Sequence, residues 1–175
     1  ALYAIESGSP STIEQFDTAT GAFQWTDTWN HEVASTTIDA DESLYIGSRD
    51  GRVQRWDNDG TVAWTRDVGA DFQDGVHVVA DGSGSLFVHT LEDDGTGGTV
   101  PSVKQLDSAD GSTSATKSVG YDTLNEFAVD DESNLYLAGG SGPVTLERYD
   151  YTAGTSEWAI DAGYSVNDLD VTASG

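Results

Sequence analysis

The residues of this chain that could do chemistry are mostly carboxylates. Asp and Glu account for 31 of 175 residues, beside three histidines and no cysteine, so thiol chemistry is excluded. The acidic segment Asp57-Asn58-Asp59-Gly60 lacks the further ligands of an EF-hand loop. His31, His77 and His89 form no cluster with metal-binding spacing, and no Gly-x-Ser-x-Gly motif occurs. These patterns favour turns capped by Asp and give little support to catalysis.

The balance of charge points to an environment and excludes some partners. Seven Lys and Arg against 31 Asp and Glu give a formal net charge of -24. Repulsion of that size is screened at about 1 M salt, where the Debye length is about 3 Å. With 22 Asp, 9 Glu and two Lys, the composition resembles that of proteins from extreme halophiles, particularly haloarchaea and their viruses. Nucleic acid is disfavoured because few cations could neutralise phosphates, and no apolar run is long enough to insert into a membrane.

A sequence repeat positions these carboxylates. Its first landmark is a strand that ends in a large apolar residue and Asp, followed by a glycine turn. The glycines of the four copies are Gly21, Gly60, Gly111 and Gly154. Trp stands four residues after the glycine in three copies, and Ala115 stands there in the third. The second landmark is a Leu-aromatic pair, found at Leu2-Tyr3, Leu44-Tyr45, Leu86-Phe87 and Leu135-Tyr136.

The spacing of the landmarks predicts the fold. Leu2, Leu44 and Leu86 follow one another at 42 residues, and Leu135 follows after 49 because of an insertion. Such a period, with Asp and Gly turns, predicts an all-β, four-bladed β-propeller with four antiparallel strands per blade. We predict a single domain over residues 1–175. Its blades are expected at 1–30 with 166–175, 33–68, 75–119 and 126–162.

The two ends of the chain predict how the ring closes. The first repeat lacks an inner strand, and Val166 to Gly175 has the pattern of one. Joining Gly175 to Ala1 would restore the 42-residue spacing, so the C-terminal strand is predicted to complete the N-terminal blade. Closure would remove exposed strand edges. A segment of a longer propeller and a larger ring shared by two chains remain as alternatives.

The second repeat carries a resemblance to a known family. Residues 44–64, with Leu44-Tyr45-Ile46-Gly47-Ser48 and Trp64, resemble the PQQ-type repeat of quinoprotein-like propellers, which include the outer-membrane assembly lipoprotein. Enzymes of that family hold a quinone and calcium in larger rings with an adjacent-cysteine disulfide, whereas this chain has no cysteine. The resemblance therefore implies a non-catalytic scaffold without an organic cofactor. Trp56-Asp57 is a WD dipeptide, but the Gly-His of WD40 repeats is missing.

The connections between blades supply the candidate binding residues. Each connection carries one aromatic residue, 13 to 15 residues before the next Leu-aromatic pair. These aromatics are Trp29, Phe72, Tyr121 and Tyr164. With His31 and Asp122 beside them they could bind a sugar or peptide at one mouth of the ring, or they could fill the core between blades.

Two further acidic groups are candidate sites. The insertion 92–101 is expected at the same mouth, either as a partner-contacting loop or as a solvated insertion. Its candidate contacts are Glu92, Asp93, Asp94 and Thr96. Asp168 and Asp170, on the predicted closing strand, could face a central channel and bind a calcium, sodium or potassium ion.

Together these observations predict a non-enzymatic binding or assembly module that works in high salt. We expect it outside the cell, on a halophilic cell surface or in a virion, presenting loops to a protein or glycan. One alternative is a small propeller enzyme, a lyase or glycosidase with two channel carboxylates. Another alternative is a fragment of a larger surface protein.

Overall fold

A computed structural model describes residues 1–69, 75–93, 95–96, 98–120, 124–140, 144–164, 166 and 168–171. Every regular element in these residues is a β-strand, and neighbouring strands run antiparallel. This part of the chain contains no helix long and apolar enough to cross a membrane. The prediction of an all-β chain of short antiparallel strands is confirmed.

The first of two compact units consists of residues 1–78 and 109–111. Its first sheet has three strands in the order β1 (Leu2–Glu6), β2 (Ser11–Phe16) and β3 (Phe23–Trp29). Its second sheet has four, in the order β4 (Val33–Ile38), β5 (Leu44–Ser48), β6 (Arg52–Trp56) and β7 (Val62–Asp67). Both sheets follow the order of the chain, as successive hairpins do.

The second unit consists of residues 79–108 and 112–175. The third sheet contains β8 (His77–Ala80), which begins in the first unit, β9 (Ser85–Asp93), β10 (Thr99–Asp107) and β11 (Thr113–Ser118). The fourth sheet contains β12 (Leu124–Val129), β13 (Asn134–Gly139), β14 (Thr145–Asp150) and β15 (Thr155–Asp161). Three of the four sheets therefore have the predicted four strands.

The sequence landmarks occupy equivalent places in all four sheets. Each strand that ends in apolar-Asp pairs with the next strand through a register shift at the same repeat position. The shifts fall at Gln15/Phe16, Arg55/Trp56, Gln105/Leu106 and Arg148/Tyr149. Such bulges increase the local twist of a hairpin. The glycine that follows has a positive φ in each copy, between 69° at Gly21 and 86° at Gly60, as predicted for these turns.

Acidic turns join the first two strands of each four-stranded sheet. In the fourth sheet, Asp130 Oδ1 accepts the backbone N–H groups of Glu132 at 3.0 Å and Asn134 at 2.9 Å, and Oδ2 accepts the Tyr136 hydroxyl at 3.2 Å. Burial opposes ionisation of Asp130, but these hydrogen bonds, led by those of Asn134, hold its pKa below the usual range. The equivalent turns are capped by Asp39 and Asp81. Asp39 to Glu42 and Asp130 to Glu132 thus form capped turns.

The core of the first unit lies between its two sheets. Ile13 and Trp29 from the first sheet pack with Leu44, Ile46 and Trp56 from the second. The repeat Trp of the first sheet, Trp25, adds a stacked contact to Trp56, with ring centroids 5.8 Å apart. The Leu-aromatic and apolar-Asp landmarks are thus the residues that hold neighbouring sheets together.

The core of the second unit shows how the missing repeat Trp is replaced. Ala115 leaves the Trp position of the third sheet empty. Tyr151, from the β14–β15 turn, packs its ring edge-on to Phe87 at 5.1 Å and donates its hydroxyl to the Val103 carbonyl at 3.2 Å. Burial raises the pKa of Tyr151 to about 12, so the hydroxyl stays a donor at neutral pH.

The predicted closing strand is not formed in the described part of residues 166–175. Residues 166 and 168–171 belong to no strand, and Asp170 Oδ1 accepts the Val171 N–H at 2.9 Å. The side of β1 away from β2 is therefore an edge in the first sheet as described. Closure of the ring stays a prediction.

Candidate binding surface

A charged surface lies at one end of the first unit, where the β3–β4 connection meets the β5–β6 turn. We call it the charged end and define it by His31, Glu32, Ser48, Arg49, Asp50 and Arg52. The positions follow from the hairpins, because the chain leaves β3 and turns after β5 at the same edge. Short turns on paired strands hold such side chains in place.

Asp50 is the centre of the charged end. Its Oδ2 lies 2.8 Å from Nδ1 of His31 and 3.8 Å from Nε of Arg52, and its Oδ1 accepts the Ser48 hydroxyl at 2.7 Å. Partial burial opposes ionisation, but the hydrogen bonds from Ser48 and His31 outweigh it, so the pKa of Asp50 lies below its usual range. The carboxylate therefore stays ionised and orients the imidazole.

A second ion pair flanks Asp50. Arg49 Nε lies 2.7 Å from Glu32 Oε1, and both side chains are about half exposed. Arg55 pairs in the same way with Asp57, at 3.0 Å. Arg49, Arg52 and Arg55 thus pair with carboxylates of the surrounding acidic surface.

Two of the predicted binding residues, Trp29 and His31, meet at the charged end. Trp29 is 5% exposed, and the His31 ring lies against it at 5.1 Å with a 60° angle between planes. Trp29 therefore lies in the core, which agrees with the alternative that these aromatics fill the core between blades. Its ring packs against the imidazole of His31. His31 presents the polar group above it.

The other predicted residues are not brought to this place by the described structure. Phe72, Tyr121 and Asp122 lie outside the described residues, and Tyr164 is 70% exposed after β15. In the insertion, Glu92 and Asp93 end β9, Thr96 is exposed, and Asp94 lies outside the described residues. Asp168 and Asp170 are exposed, and the described residues contain no cluster of three His, Asp or Glu that could hold a metal ion. The cation site stays a prediction.

Sequence reasoning missed Asp50 and Ser48. Ser48-Arg49-Asp50-Gly51 ends a strand and opens a tight turn, with Gly51 at a φ of 89°. A Ser and an Asp two residues apart in such a turn are a usable signal, since the hydroxyl and carboxylate can bond across it. The partner His31 is 19 residues away, so its contact with Asp50 required the sheet pairing.

The groups of the charged end are suited to charge-assisted hydrogen bonds. The Ser48 hydroxyl bonds Asp50 and not the imidazole, so the three groups do not have the nucleophile-base order of a hydrolase triad. Arginines and carboxylates on rigid turns can instead form charge-assisted hydrogen bonds with polar groups of another molecule.

Comparisons with solved structures agree on the fold. No protein-family model and no curated protein matches the chain. It is similar to the WD40 domain of coronin from Toxoplasma gondii, with a TM-score of 0.64 and 14% identity over 87% of this chain and 43% of that one. It is also similar to BamB from Moraxella catarrhalis, with a TM-score of 0.61 and 17% identity over 89% and 44% of the two chains.

A third similarity is to the structure of U3-55K, with a TM-score of 0.68 and 14% identity over 90% of this chain and 47% of that chain. The chain thus has the sheet arrangement of β-propellers and spans slightly less than half the length of these structures. At this level of identity the matches establish the fold and leave function to the site.

Proposed function

We propose that the chain is a non-enzymatic binding module that presents the charged end to a protein or glycan partner. The observation that carries the proposal is the set of charged pairs around Asp50, held on the β3–β4 connection and the β5–β6 turn. The β-propeller fold supports it, because such folds offer loops on a rigid framework. The chain has a net charge of -24, and the charged end brings together two of its five arginines and one of its three histidines. This concentration of basic groups distinguishes the charged end from the acidic character of the chain.

Partner capture with matched charge reversals tests this function. Immobilised wild-type protein would be exposed to extracellular extract of a halophile in about 3 M KCl. Arg49→Glu should remove the captured partner, because it breaks the pair with Glu32 and reverses the charge. Arg66→Glu is the control, since it makes the same change on β7 of the same sheet. Equal capture by both variants would contradict the proposal.

We further propose that the module works in high salt, on a cell surface or in a virion. The net charge of -24 over 175 residues supports the salt requirement. Reducing KCl below about 0.5 M should lower the melting temperature, because self-repulsion is then unscreened. Thermal melts followed by circular dichroism would measure this. A melting temperature independent of KCl would refute the salt requirement.

We also propose that residues 166–175 provide the inner strand of a first sheet, as the 42-residue spacing predicts. In the described residues the first sheet has three strands where the others have four, which leaves the β1 edge available. A synthetic 166–175 peptide added to a chain truncated after residue 165 should protect the β1 amides from hydrogen exchange. A scrambled peptide is the control, and absence of added protection would contradict the strand.

A further inference from the structure

One face of the first sheet lacks the cover that the equivalent faces have. Leu2, Phe16 and Phe23 lie opposite one another on β1, β2 and β3 and so share this face, which we call the leading face. Leu2 is 55% exposed, whereas its equivalent in the second sheet, Leu44, is 1% exposed. The equivalents in the other sheets, Leu86 and Leu135, are also buried. Leu2 thus occupies a repeat position whose side chain is buried in the other three sheets and exposed in the first.

The turn glycines show what normally covers such a face. A Cβ placed on Gly60 would lie 2.9 Å from Cδ2 of Trp25, and one on Gly111 would lie 2.7 Å from Cε3 of Trp64. The repeat Trp of one sheet thus packs on the turn glycine of the next. At Gly21, beside the leading face, a Cβ would have nothing within 4 Å. In the described part of the chain, no Trp packs on Gly21.

The fourth sheet carries the matching side chain. Trp158 is 43% exposed, whereas Trp64, at the same repeat position, is 7% exposed. Ile160, two residues on and so on the same side of β15, is also exposed. It stands where the first and second repeats have Asp27 and Arg66. We call the side of the fourth sheet with Trp158 and Ile160 the trailing face.

We propose that the leading face docks the trailing face of a second copy of this chain, with Trp158 of one copy on Gly21 of the other. The repeat supports this pairing, because Trp25 and Trp64 pack on the turn glycines Gly60 and Gly111 in the same way. The strand proposed for residues 166–175 could pair with β1 of its own copy or of the second copy. The docking of the two faces therefore does not depend on that proposal.

The charges of the faces make this association depend on salt. Glu6 and Glu14 line a cavity of about 250 Å³ on the first sheet, together with Ala4, Ile5 and Thr12. A space of that size can hold water molecules that hydrate the Glu6 and Glu14 carboxylates while a second copy covers the apolar side chains beside them. Each copy has a net charge of -24, so low salt opposes pairing and molar salt permits it.

Sedimentation equilibrium of the full chain in about 3 M KCl tests the pairing. We expect a mass of at least about 37 kDa, which is twice the 18.5 kDa of one chain. Leu2→Asp and Trp158→Asp should each raise the dissociation constant at least about tenfold, because each places a charge in an apolar contact. Val62→Asp is the control, since Val62 is an exposed apolar residue of the second sheet. Circular dichroism would show that each variant is folded.

A mixture of the two variants tests whether the leading face of one copy meets the trailing face of another. Leu2→Asp damages only the leading face and Trp158→Asp only the trailing face, so the mixture retains one intact junction. Mixed pairs near 37 kDa, absent from either variant alone, would support the proposal. A wild-type mass of 18.5 kDa in high salt would overturn it. A pair that survives Leu2→Asp unchanged would also overturn it.

Discussion

The junction between the first and second sheets and the leading face of the first sheet are built from the same repeat residues and have opposite environments. At the junction, Leu44 is buried among Ile13, Trp29 and Trp56, and Trp25 covers Gly60. On the leading face, Leu2 is exposed and Gly21 is uncovered. Each repeat therefore has two apolar faces, and the side chains of a face are buried only where another sheet packs against it.

The largest expected difference is between the two leucines. Leu44→Ala should lower the free energy of unfolding by about 2–5 kcal/mol, because it leaves a cavity among packed side chains. Leu2→Ala should cost less than about 1 kcal/mol in dilute protein, since the side chain is already half exposed. Urea unfolding in high salt measures both, and equal costs would remove the distinction. If copies pair through this face, the cost of Leu2→Ala rises with protein concentration.

The turn glycines give the next contrast. Gly60→Ala and Gly21→Ala share a backbone cost of about 1–2 kcal/mol, since both residues have positive φ. Gly60→Ala should cost about 1–3 kcal/mol more, because its Cβ would overlap Trp25. Thermal melts of the two variants in one buffer provide the measurement. A cost for Gly21→Ala as large as that of Gly60→Ala in dilute protein would contradict the uncovered state of this turn.

Two turn carboxylates extend the comparison to pH. The pKa of Asp130 is lowered in the folded chain, so its stabilising contribution is present above the usual carboxyl range and is lost as pH falls through the folded pKa. Asp130→Asn should cost about 1–3 kcal/mol at neutral pH and flatten the loss of stability below about pH 4. Glu132→Gln in the same turn is the control. An unchanged acid profile in Asp130→Asn would contradict the role of this cap.

Asp17 belongs to the turn of Gly21 and provides the more exposed counterpart. Hydrogen bonds from the Thr20 hydroxyl and backbone N–H lower its pKa, but Asp17 is partly exposed, whereas Asp130 is buried. Asp17→Asn should therefore change stability far less than Asp130→Asn does, with the same direction of pH dependence. Urea unfolding at neutral pH and near pH 3 would compare the two. A larger effect at Asp17 would show that this turn is covered in solution.

The smallest effect is expected at the charged end. Arg49→Ala removes a half-exposed pair with Glu32 and should change the free energy of unfolding by less than about 1 kcal/mol. Its effect should appear in partner capture, where a charged contact is lost. A loss of several kcal/mol in thermal melts would show that the pair supports the fold.

Much of the fold was predictable because the repeat consists of local signals. The Asp-Gly turns, the Leu-aromatic pairs and the alternating strands each act over a few residues, so their spacing predicted strands and turns. The candidate site was harder to predict. Trp29 was singled out from the sequence as one of the repeated aromatics, but its burial depends on Leu44 and Trp56 in another sheet. Asp50 was missed because its contact with His31 depends on the pairing of β4 with β5.

Composition and spacing by themselves determined the all-β class, the four repeats, the positive-φ glycines and the acidic character of the chain. These are properties of single residues and short segments, which local physics sets. Only the tertiary structure decided that Leu44 is buried while Leu2 is exposed, that Tyr151 replaces a missing Trp, and that His31 bonds Asp50. Each of these depends on which sheet lies beside the residue. The repeats have the same sequence landmarks, so the sequence does not show which copy of a residue has a neighbouring sheet to bury it.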